Sequence, residues 1–160
     1  MVPTAGRSSP GRTNCCNDQP QPDIPQVSDI VPNVSDCCDP APYRRFFNRK
    51  EAERNVRAYR RKGLDPMASS MVDYLKSRDL RGADLLEVGG GVGAIQIDLL
   101  KAGLDRSVNV ELSSGYDEAA HQLAAEEGVE DRITRHVGDF VENQDEFESA
   151  DVVLMNRVVC

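Results

Sequence analysis

Leu85-Leu86-Glu87-Val88-Gly89-Gly90-Gly91-Val92-Gly93 decides how the rest of the chain is read. An apolar run ends in an acid, and a glycine-rich turn then leads into a helical pattern. This order suits a buried strand whose carboxyl end opens onto a nucleotide-like ligand. Glycines let the backbone approach such a ligand closely, and the start of the next helix presents N–H groups that have no partner inside the helix.

Apolar periodicity extends the pattern on both sides. Upstream, residues 46–62 read as a helix with Ala52, Val56 and Tyr59 on one face, stopped by Gly63. A second helix takes Asp65 as its N-cap and Pro66 at its first position, with Met67, Met71, Val72 and Leu75 as the apolar stripe. Downstream, strands at 83–88, 107–112, 133–139 and 151–159 alternate with helices at 92–102 and 115–127 and an acidic loop or short helix at 140–150. Ile95, Leu99 and Leu100 face inward in the first of these helices. Ser114 caps the second, with Asp117 at the capping-box position. The alternation predicts an α/β protein with a mostly parallel sheet, right-handed crossovers and a ligand at the carboxyl ends of the strands. Four strands are few for such a sheet, and no helix follows the fourth before Cys160. The expectation is a chain truncated at its C-terminus, or one that self-associates through the exposed fourth strand.

Charge and composition divide the chain. Residues 1–42 hold eight of the nine prolines with little apolar periodicity, which reads as a disordered tail. Residues 44–62 carry nine basic side chains against Glu51 and Glu53, so the remainder is more acidic than the overall −8. That balance argues against a general nucleic-acid partner, while the basic segment alone suits a single anion. No apolar run is long enough to span a membrane, and no apolar stretch follows the early arginines as a secretory signal requires. The acid-free first 17 residues carry a faint transit-peptide pattern that many disordered tails share; a cytoplasmic location is expected. The pairs Cys15-Cys16 and Cys37-Cys38, with Cys160, read as free thiols. A four-thiolate zinc site is disfavoured because adjacent cysteines chelate one ion awkwardly, so no metal is expected.

Two cofactor classes compete for the glycine turn. Gly89-x-Gly91-x-x-Ala94, with Glu111 about 20 residues on, satisfies the fingerprint of nicotinamide and flavin dinucleotides. Glu87-x-Gly89-x-Gly91-x-Gly93 also resembles the first motif of the class I S-adenosylmethionine (SAM)-dependent methyltransferases, and the likeness continues over residues 43–160. Glu111 looks like the family's acid at the end of the second strand that holds the ribose hydroxyls, with Leu112 against the adenine. A carboxylate suits that task because it accepts both hydroxyl protons. Gly138-Asp139-Phe140 looks like the motif after the third strand, where Asp139 would accept from the adenine amino group and Phe140 would pack on the ring. Residues 151–157, ending Asn156-Arg157, look like the fourth-strand motif beside the reactive methyl. Further details are similar to a bacterial small-molecule group distantly related to the magnesium-protoporphyrin O-methyltransferases.

The resemblance implies a Rossmann-like sheet of order 3-2-1-4, SAM as cofactor and methyl transfer to a small-molecule acceptor. With the composition it divides the chain into a disordered tail (1–42), a basic helix and possible lid (43–64) and an incomplete SAM-binding domain (65–160). Glu87 would order the methionine amino group. The basic helix reads either as a solvated face paired with the acidic body or as a lid that brings Tyr59 and Arg60 to the methionine carboxylate. His121 reads as solvent-facing and His136 as core or edge, and no catalytic base is assigned. The alternatives are a dinucleotide-dependent oxidoreductase and a non-catalytic remnant.

Overall fold

Asn48 caps the basic helix by accepting from the N–H of Glu51 at 3.2 Å, so α1 spans Arg49–Lys62, and a bend at 47–48 separates it from the helical residues 45–46. In this computed structural model the described residues are 43 and 45–158. The tail at 1–42, its four cysteines, Arg44, the last residue of the expected fourth strand and Cys160 lie outside the described residues. Asp65 caps α2 (Pro66–Lys76) as its sequence predicts, accepting from the N–H groups of Met67 and Ala68. Ala68 and Val72 carry its buried face. Met67, expected in the apolar stripe, is 57% exposed, while its neighbour Ala68 is buried.

The remaining elements are β1 (Asp84–Val88), α3 (Ala94–Lys101), β2 (Arg106–Glu111), α4 (Asp117–Glu126), β3 (Ile133–Val137) and β4 (Val152–Met155). β2 is shifted by one residue from its apolar pattern, and each of the others is one to several residues shorter than its own. Ser113, not Ser114, accepts from the N–H of Gly115, and a 3-10 turn at Ser114–Tyr116 precedes α4. The acidic 140–150 segment is a loop with a single 3-10 turn at Gln144–Glu146.

The strands form one parallel sheet in the order β3-β2-β1-β4, the Rossmann-like order expected. One face carries Leu85, Leu154 and Val152, joined in a single core with Ala52 and Val56 of α1, Val72 of α2, Ile97, Leu99 and Leu100 of α3 and Leu123 of α4. Full burial of each large aliphatic side chain stabilises the fold by about 1.5–3 kcal/mol, so this face dominates stability. The opposite face carries Leu86, Val88 and Val110, covered by Phe140, Phe147 and Ala150 from the β3–β4 connection and by Val158. Val153 and Met155 of β4 remain about half exposed on that face. Among the described residues no helix is long and apolar enough to cross a membrane.

Candidate cofactor site at the carboxyl edge of the sheet

Alternation along the strands decides what lies under the glycine turn. Glu87 on β1 is in register with Asn109 on β2, and Asn109 with Arg135 on β3, so three polar side chains form a row on the helix-covered face. Glu87 is 2% exposed and Asn109 fully buried. The Glu87 carboxylate accepts from Nε2 of Gln96 in α3 at 2.8 Å. Burial pushes its carboxyl up to about 7, against the opposing pull of the Gln96 hydrogen bond and the Arg135 charge. Neither amide atom of Asn109 has a hydrogen-bond partner among the described residues. Such a group costs about 1–3 kcal/mol unless something pairs with it.

The glycines divide into two kinds. Gly89, Gly91 and Gly93 have φ of 69°, 55° and 78°, a region that disfavours any side chain. Gly90 has ordinary backbone but no room: a Cβ there would lie 2.3 Å from Nδ2 of Asn109 and 2.9 Å from Cδ of Glu87. The polar row therefore presses directly against the turn.

Glu111 ties the turn to the end of β2. One carboxylate oxygen accepts from the N–H of Gly91 and the other from the N–H of Ser113, both at 2.9 Å. Each oxygen has two acceptor positions, so two of the four remain for a ligand. Gly138 donates its N–H to the Glu111 carbonyl, which brings Asp139 to the same edge. There the Asp139 side chain accepts from the N–H of Val141 at 2.8 Å, and Phe140 stacks on Phe147 with centroids 5.6 Å apart. Leu112 and Asn156 are half-buried one residue past the ends of β2 and β4. The structure thus brings Glu87, the three alternate glycines, Glu111, Leu112, Asp139, Phe140 and Asn156 to one edge.

Tyr59 and Arg60, the expected lid contacts, touch other groups in this structure. The Tyr59 hydroxyl donates to Asp98 in α3 at 2.6 Å, and the Arg60 guanidinium pairs with Glu126 at the end of α4. The helix geometry explains this: α1 packs along α4, and the segment just before its N-terminal end reaches the loop after β2. At that end Ser113 Oγ donates to the Phe47 carbonyl, and Tyr116 packs beside Gly91. The basic face of α1 pairs within itself and with Glu118 and Glu126, which matches the solvated-face reading. His121 is half exposed beside Asp117, and His136 packs edge-on against Phe147.

Gln96, Asn109 and Arg135 were not singled out by sequence. Each looks like an ordinary helix or strand residue until the register aligns it with Glu87. The available signal was weak: polar residues at positions where the strand period points toward the core.

The Rossmann-like sheet of order 3-2-1-4 carries an acid at the end of β1, alternate positive-φ glycines and an acid at the end of β2. Solved methyltransferases share this fold. The magnesium protoporphyrin IX methyltransferase of Synechocystis PCC 6803, with bound S-adenosylhomocysteine (SAH), superposes with a TM-score of 0.59 at 21% identity, over 74% of this chain and 58% of that one. An O-methyltransferase of Streptomyces achromogenes involved in tomaymycin synthesis, with bound SAM, gives 0.51 at 21% identity over 65% and 52%. In sequence, the chain is 30% identical over 94 residues to the ribosomal protein L11 methyltransferase of Tolumonas auensis, covering 59% of this chain and 31% of that protein. The chain thus spans about a third of the length of the curated relatives it matches. No family model matches it.

Proposed function

We propose that this chain binds SAM at the carboxyl edge of its sheet and serves methyl transfer to a small-molecule acceptor. The observation that carries this reading is Glu111 locked onto Gly91 beside the Glu87 turn. It leaves a carboxylate with free acceptor positions next to close-approach backbone, over a buried acid. A cofactor with two ribose hydroxyls and a cationic amino-acid end matches that donor and acceptor set. A pyrophosphate, by contrast, would face two carboxylates near the turn, which favours SAM over a dinucleotide.

Bound SAM supplies a methyl on a sulfonium, already attached to an excellent leaving group. The chain's own work is therefore binding and orientation. Glu111 is proposed to hold the ribose, Asp139 and Leu112 to border the adenine, and Glu87 to attract the amino group from beneath the turn. Asn156, past the end of β4, lies on the side where an acceptor would approach. The exposed face of β4 at Val153 and Met155 supports self-association as a further part of this reading.

Calorimetric titration with SAH and, separately, NAD tests the cofactor. SAH binding without NAD binding is expected, and the reverse would replace the methyltransferase reading with an oxidoreductase one. Transfer of labelled methyl from SAM to a panel of small molecules and to ribosomal protein tests the acceptor class.

A further inference from the structure

Arg135 is the one cation inside the polar row, and nothing in the proposed chemistry yet uses it. Its side chain is 4% exposed. From the middle of β3, its Nη2 donates to the Gly91 carbonyl at 3.2 Å, and its Nε donates to Asp117 at the start of α4, also at 3.2 Å. Gly91 is thereby held from both sides: Glu111 takes its N–H and Arg135 its carbonyl. The fork of a guanidinium makes two such bonds in a fixed plane, which a lysine ammonium cannot copy.

We propose that Arg135 is a positioning residue for the cofactor site, setting the glycine turn through the Gly91 carbonyl and acting on Glu87 across the buried row. This rests on the SAM reading above. Two further observations support it. Asn109 stands between Arg135 and Glu87 in register, with an unpaired amide against Gly90, so the row and the turn are packed as one unit. In addition, the Arg135 charge favours the ionised form of Glu87.

The groups facing Glu87 are Gln96 from α3, Asn109 and Glu111 from β2 and Arg135 from β3. Asp117 touches the row through Arg135, with His121 beside it. Glu111 opposes ionisation of Glu87, and Arg135 is the cation on that side. Loss of Arg135 therefore lets Glu87 take its proton at higher pH, and a neutral Glu87 attracts a cationic amino group less.

The test is Arg135→Met and Arg135→Lys in the full chain, with two readouts. The first is amide hydrogen exchange of Gly91, Gly93 and Ser113 without ligand. The second is SAH affinity between pH 6 and 8.5. In R135M the three amides should exchange faster, SAH should bind roughly 10-fold more weakly as expected for a lost charged hydrogen bond, and the pH midpoint of binding should move upward. R135K should return the midpoint toward wild type while leaving turn exchange fast. A folded R135M with wild-type exchange and an unmoved midpoint would overturn the proposal. If wild type binds no SAH, the cofactor reading fails, and the exchange measurement still decides whether Arg135 sets the turn. If R135M does not fold, slow wild-type exchange in R135K overturns the proposal and fast exchange supports it.

Discussion

Replacing Glu87 with Gln turns the buried row into a measurable pH dependence. The carboxyl is fully buried, and its value rises from 4.5 to about 7 because the charged form loses its water. A raised acid stabilises the folded state fully below about 4.5, where both states are protonated. That contribution is lost as pH rises through about 7, because the folded protein must then ionise a buried carboxylate. At ~1.36 kcal/mol per pH unit, the total is about 3 kcal/mol between the two limits. Glu87→Gln keeps the shape and the bond from Gln96. The protonated carboxyl and the amide that replaces it are both neutral groups with a donor in the same buried place. Urea unfolding of both proteins from pH 4.5 to 8.5 should show similar stabilities at the acid end. E87Q should then become more stable by about 2–3 kcal/mol above pH 7. A difference that stays constant with pH would refute the account, because only the titration of Glu87 produces the slope.

Other substitutions separate packing from cofactor binding. Gly90→Ala places a methyl against Asn109 and Glu87 and should cost about 1–3 kcal/mol in urea midpoint; adding Asn109→Ala should recover part of that loss. Ser113→Ala removes both the bond to the Phe47 carbonyl and the cap on Gly115, so it should destabilise by about 1 kcal/mol in thermal unfolding. Tyr59→Phe should cost about 1 kcal/mol through the lost bond to Asp98 and leave SAH affinity unchanged in calorimetry. Arg60→Ala, which breaks an exposed pair with Glu126, should shift stability by under about 1 kcal/mol and also leave SAH affinity unchanged; weaker binding in either variant would restore the lid reading.

Local chemistry carried most of the architecture. Asp65-Pro66 stated where α2 begins because a side-chain cap and a proline act within a few residues. Strand and helix periods, with short glycine turns, sufficed for a parallel sheet, and alternate glycines matched the positions that need positive φ. Element ends were less legible. The apolar stretch at 151–159 extends past β4 because Asn156 and Arg157 turn the chain, with Arg157 at φ 60° and paired to Asp65.

The sequence by itself thus determined the fold class and the strand-end positions of the acids Glu87 and Glu111, since each is written in neighbouring residues. Only the tertiary structure decided what those acids touch. Strand register set Glu87, Asn109 and Arg135 in one row, although they lie 22 and 26 residues apart in the chain. It also gave Gly90 a steric reason that its own backbone does not supply. The packing of α1 along α4 drew Tyr59 and Arg60 away from the edge that their charge and aromatic character suggested. Register and helix docking are set by the sum of the apolar faces, and that sum is not written at any single position.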